Sequence, residues 1–137
     1  MLRSALAVII GFVVIGGLAF GTDAIMHSVA PDKFGPNNSV SDFGLLAFTE
    51  IYVFVFAAFG CWLCARIAQR RPMFHALVLG VLGLVFNIVG GAMTWQLYPL
   101  WYTVVGLLLV MPAAWVGGRI AERQMANRPV AFTAAAA

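Results

Sequence analysis

Between Leu45 and Ala65 the chain runs for about twenty residues with a single charge, Glu50, and then meets Arg66, Arg70 and Arg71. A helix of that length, at ~1.5 Å per residue, crosses the ~30 Å hydrocarbon layer of a bilayer. The pattern recurs along the chain. Apolar runs over residues 4–26, 45–66, 73–95 and 100–120 predict four spans. Only 9% of the 137 residues are charged and 63% are hydrophobic, whereas a water-soluble domain carries roughly 25% charged residues. The expectation is an all-α fold, a compact bundle of four transmembrane helices in one domain over residues 1–123. A disordered tail is expected over residues 124–137.

The N-terminal run could serve as a signal peptide cleaved near Ala19-Phe20-Gly21, but it is long for a signal core and carries glycines at helix-packing spacing. Residues 4–26 are therefore read as a retained span. The stretch 28–42 is the one long polar loop, with turn chemistry at Pro31, Gly35, Pro36 and Asn37-Asn38, and Ser41 or Asp42 as N-cap of span two. Trp95, Tyr98, Trp101 and Tyr102 in the last link predict an aromatic belt. With four spans, one side holds Arg3, Arg66, Arg70, Arg71, Arg119, Arg123 and Arg128, and the other holds Lys33 alone. Positive residues stay inside, so both termini are expected in the cytoplasm and the protein in a bacterial inner membrane.

Small residues at steps of three and four mark expected packing seams, because they let membrane helices approach closely. Span one offers Ser4, Ala7, Gly11, Val14, Gly17, Gly21 and Ala24. Span two offers Ala47, Glu50, Phe54, Ala57, Cys61, Cys64 and Ala68, so Glu50 and both cysteines are expected to face other helices. Span three offers Ala76, Gly80, Gly83, Asn87, Gly90 and Thr94. Span four offers Thr103, Gly106, Val110, Ala113 and Gly117. Asn87, near mid-membrane, is expected to find a partner on another helix, since an unpaired amide there costs several kcal/mol. Trp62-x-x-x-Arg66-Ile-Ala-Gln-Arg70 is echoed at an offset of 53 by Trp115-x-x-x-Arg119-Ile-Ala-Glu-Arg123, either a remnant of a duplicated hairpin or two boundary anchors of the same kind.

The chemistry concentrates on the loop side. Glu50 lies about five residues, roughly 8 Å, inside the span, and ionisable residues in a span are costly and by default functional. Asp23 and His27, one helical turn apart, leave span one on that side, and Gln96 and Thr103 reach the same level. These five form the expected substrate or proton site. In the alternative reading Glu50 only hydrogen-bonds Thr103 or Gln96. Asp, His and Glu over two segments are a poor metal set, so no metal and no cofactor is expected. Cys61-Trp-Leu-Cys64 has the redox spacing, but at the C-terminal end of its helix, where the dipole disfavours a thiolate. His75 reads as interfacial. No phosphate-binding loop, hydrolytic triad or basic nucleic-acid face is present in the sequence.

The leading functional expectation is a non-enzymatic packing subunit, as a homo-oligomer or an accessory to another membrane protein in the lipid bilayer. The alternative is a small proton-coupled transporter or exporter using Glu50 as carrier carboxylate, with Tyr52, Trp95 and Trp101 along a route for lipophilic cations. Small multidrug exporters also have four spans and a membrane glutamate, but theirs lies in the first span, and no family is assigned to this chain. The chain departs from them in carrying the glutamate in span two and in its arginine bias. A membrane thiol oxidoreductase using Cys61 and Cys64 stands third.

Overall fold

The computed structural model describes residues 2–36, 39–69 and 71–127. Arg70, Arg128, the Asn37-Asn38 pair and the expected tail from residue 128 onward lie outside the described residues. Four α-helices account for most of what is described: α1 (Leu2–Val29), α2 (Phe43–Ala68), α3 (Pro72–Met93) and α4 (Leu100–Ala126). All four are long and apolar enough to cross a membrane. Each continues past or starts close to the expected boundary. α4 runs on to Ala126, three residues into the stretch expected as tail.

Local chemistry sets the ends. Asp42 caps α2, its carboxylate accepting from the Leu45 N–H at 2.7 Å. That hydrogen bond, with a further one from Lys33, holds the Asp42 carboxyl below its usual range. A short 3-10 turn at Pro31–Lys33 follows α1, and Val40 N–H donates to the Leu97 carbonyl at 3.1 Å, tying the polar loop to the α3–α4 link. Between α2 and α3 the chain reverses through Gln69 and Arg71, both in the left-handed region.

α2 is the hub, packing on α1, α3 and α4, while α3 also lies along α4. The end that carries the termini and the arginines is closed tightly. A Cβ on Gly11 would lie 2.6 Å from Leu79 Cδ2 and 3.0 Å from the Gly60 carbonyl, and one on Gly80 would lie 2.5 Å from Ala114 Cβ. At Gly117 a Cβ would strike the Ala58 carbonyl oxygen and come within 2.8 Å of Trp62 N. Here the absent side chain lets α4 lie directly on the α2 backbone. Around these crossings lies a core of small side chains, including Ala7, Cys64, Ala65, Ala76, Leu79 and Ala121. Gly60 and Gly118 belong to this zipper too, and the seams did not include them.

The seam of α2 faces the other helices: Glu50, Cys61, Cys64 and Ala68 are buried. The seam of α1 does not hold throughout. Ala7 and Gly11 are buried, but Gly17, Gly21 and Ala24 are exposed, and nothing lies within 4 Å of a Cβ placed on Gly17 or Gly21. Gly90 is equally open, and Gly83 makes only an ordinary contact with Val110 at 3.7 Å. The echo has a structural counterpart. Arg66 lies over Trp62 at 5.6 Å and Arg119 over Trp115 at 5.8 Å, the same cation–π anchor on α2 and α4.

A second, smaller core closes the loop end, where Val40, Leu45 and Leu46 are covered by Met26, Phe34, Tyr98, Trp101 and Tyr102. The four aromatics of the expected belt differ in how they pack. Trp95 stays 69% exposed, but Tyr98, Trp101 and Tyr102 turn inward because the loop end offers an apolar surface to cover. Between the two cores the helices are held apart.

Candidate functional site

That separation leaves a cavity of about 430 Å³, within the usual range of small-molecule sites. α1 contributes Phe20 and Asp23; α2 contributes Glu50, Val53, Phe54 and Ala57; α3 contributes Asn87, Gly90 and Gly91, with Thr94 capping its end. Tyr98, from the link, and Tyr102, Thr103, Gly106 and Val110, from α4, complete most of the wall. The polar groups gather toward the loop end and the apolar ones toward the arginine end. From Glu50 to Ala57 the wall of α2 descends by roughly 10 Å at the helical rise.

Glu50 is the centre of this arrangement. It sits two helical turns into α2 and is 8% exposed. Gly106 makes room for it: a Cβ there would lie 3.1 Å from Glu50 Oε1. Among the described residues no donor reaches the carboxylate. The sequence alternative, in which Thr103 or Gln96 satisfies it, is thereby corrected. Thr103 lines the same cavity without bonding Glu50, and Gln96 is exposed in the α3–α4 link. Asn87 likewise makes no side-chain hydrogen bond among the described residues. It opens into the cavity where a partner helix was expected, because Gly106 faces it with no side chain.

Asp23 does find a partner. Tyr52 on α2 donates a hydrogen bond to Asp23 Oδ1, joining the two helices at the cavity roof. His27 turns away. Its Nδ1 lies 3.0 Å from the Asp23 carbonyl and its ring stacks on Phe34 at 3.7 Å between centroids. His27 lines a small neighbouring pocket of about 90 Å³ under the polar loop, whose wall shares Asp23, Tyr98 and Tyr102 with the main cavity. Of the five expected site residues, Glu50, Asp23 and Thr103 therefore meet at one cavity, while His27 and Gln96 do not line it. Among the described residues no cluster of three metal-ligating side chains forms. Tyr98, Tyr102, Phe20 and Phe54 were not read as site residues.

Comparison with protein-family models, curated proteins and solved structures finds no match to the chain. Its function rests on this geometry alone.

The lining has a definite electrostatic character. It holds two carboxylates, an amide, hydroxyl groups and four aromatic rings, and among the described residues no lysine, arginine or histidine. Carboxylates neutralise a cation, and aromatic faces attract one through their quadrupole. An ionised carboxylate repels an anion, which could gain only hydrogen bonds from the hydroxyl and amide groups. Cys61 and Cys64 lie elsewhere, as free thiols buried in the arginine-end core. Cys64 Sγ lies 3.6 Å from the His75 carbonyl.

Proposed function

We propose that this chain is a small multi-pass membrane protein that binds an organic cation at Glu50 and exchanges it against a proton. The observation that carries this reading is the carboxylate of a buried residue facing a cavity walled by aromatic rings, with no hydrogen-bond donor and no positive side chain beside it among the described residues. Such a carboxylate is neutralised either by holding a proton or by pairing with a ligand cation, and the two compete for the same oxygens. Competition of that kind is what proton-coupled exchange requires. The arginine bias supports a topology with both termini cytoplasmic in a bacterial inner membrane, and hence a cavity on the outer side. Among the aromatics, Tyr98 and Tyr102 take the role expected of Trp95 and Trp101. The test is equilibrium binding of radiolabelled tetraphenylphosphonium to the purified chain and to its Glu50→Gln variant. Saturable binding that depends on Glu50 and weakens with added acid is the expected result. Equal binding by both proteins overturns the reading.

A second reading, a packing subunit that assembles as a homo-oligomer, is favoured by one observation. Gly17 and Gly21 form a bare strip on α1 that no helix of the same chain covers. If a second copy covers it, Gly17→Leu converts the oligomer to monomer in native gels while the protomer stays folded. Unchanged migration counts against it.

A further inference from the structure

We propose that Asp23 carries the proton between Glu50 and the solution on the loop side, by way of the small pocket beneath the polar loop. It rests on the exchange reading of Glu50 and adds to it a path for the proton separate from the cation's.

Exchange at a single carboxyl group needs two paths. A cation that pairs with Glu50 fills the main cavity just as the proton has to leave it. At the loop end the main cavity adjoins the small pocket, and Asp23, Tyr98 and Tyr102 line both. Glu50 lines only the large one, while His27, Thr49 and Tyr52 line only the small one. At about 90 Å³ the small pocket cannot take tetraphenylphosphonium. A water molecule needs only about 10–15 Å³ together with polar partners, so a short chain of waters fits there. His27, on its wall, is exposed, which brings that wall to the protein surface.

Asp23 is the member of this partition suited to take up a proton and give it back. Facing it are Tyr52 from α2, Glu50 across the large cavity, Tyr98 from the link and Tyr102 from α4. Among the described residues α3 brings no titratable side chain to either cavity. His27, one turn further along α1, has its Nδ1 at the Asp23 carbonyl and its ring on Phe34, so it does not hold the carboxylate. Phenols ionise only near about pH 10 and keep their protons at neutral pH. Tyr52 donates to Asp23 Oδ1. That bond fixes the side chain at the junction and leaves Oδ2 without a protein donor among the described residues. In the transfer the Glu50 O–H bond breaks as the cation pairs with the carboxylate. The proton passes through water to form an O–H bond on Asp23, and that bond breaks in turn to release it to water in the small pocket. Asp23 ends as the carboxylate it was at the start.

The experiment mixes saturating tetraphenylphosphonium with the chain in lipid nanodiscs and follows proton release with a pH-indicator dye, in the acid range where proton and cation compete. Saturation removes any change in affinity from the comparison. Asp23→Asn keeps the oxygen that accepts from Tyr52 but cannot carry a proton. Tyr52→Phe breaks the same hydrogen bond and keeps the carboxylate. Release slows by about tenfold or more in Asp23→Asn and by about threefold at most in Tyr52→Phe, since the carrier, and not the bond that orients it, makes the transfer. Asp32→Asn, in the exposed loop, matches wild type. A wild-type rate in Asp23→Asn, or a slowing that Tyr52→Phe matches in full, overturns the relay and leaves Asp23 as a strut between helices. Glu50-dependent binding that releases no proton in wild type, or no such binding at all, defeats the exchange reading beneath it instead.

Discussion

Replacing Glu50 by glutamine lowers the affinity for tetraphenylphosphonium by roughly thirtyfold or more, about 2 kcal/mol, the lower end of the cost of removing one partner of a buried charge pair. The substitution keeps shape and volume, and no hydrogen bond among the described residues is lost by it. An amide is neutral at every pH, so the variant also loses the proton competition: whatever cation binding remains becomes independent of pH. Stability moves in the opposite direction or not at all. The carboxylate has no donor among the described residues and opens on the cavity, so a neutral amide of the same shape costs the fold little. A thermal midpoint equal to or above wild type, together with the loss of binding, separates a functional Glu50 from a structural one. A variant that unfolds would assign Glu50 to the architecture.

Replacing Gly117 by leucine disrupts the fold itself. The nearest obstacles to a side chain there are the Ala58 carbonyl oxygen, Trp62 N and Cys61 Cβ, mostly backbone atoms of α2 that cannot rotate out of the way. Overpacking against movable side chains costs typically 1–3 kcal/mol, and a clash with backbone on the hub helix is expected at about 3 kcal/mol or above. Size-exclusion profiles of the solubilised variant should broaden or collapse, and its thermal midpoint should fall sharply. The same change at Gly17, where a side chain meets open space, leaves the protomer folded. If both variants behave alike, the zipper of small residues is not what closes the arginine end.

How far the sequence reveals this arrangement depends on the helix. The seam of α2 is legible because its steps from Ala47 to Ala68 cover 21 residues in six turns, about 3.5 per turn, and stay on one face. The seam of α1 covers 20 residues in six steps, from Ser4 to Ala24. That is about 3.3 per step against 3.6 per turn, so the row winds roughly half-way round the helix. Its first members pack and its last members face outward. The ligand cavity is harder to foresee. A void is created by what helices fail to fill, and Gly106 and Gly90 look identical in sequence to the glycines that close the other end. Tyr98 and Tyr102 were concealed by their neighbours. Beside Trp95 and Trp101 they read as an interfacial belt, and only the apolar surface of Val40, Leu45 and Leu46 draws them inward. Glu50 was legible as a lone charge in a span. That it has no partner among the described residues was not, because pairing depends on the register of four helices at once.

The decisive measurement is labelling of Glu50 by dicyclohexylcarbodiimide, a lipid-soluble reagent that adds to the protonated form of a carboxyl group, read by peptide mass spectrometry on protein in nanodiscs. Glu50, inside a helix apolar enough to span a membrane, should be modified and Asp32, on the polar loop, spared. Increasing tetraphenylphosphonium should protect Glu50 in step with its binding. A Glu50 that stays unmodified, or is modified to the same extent whatever the cation concentration, would contradict a carboxylate that trades a proton for an organic cation.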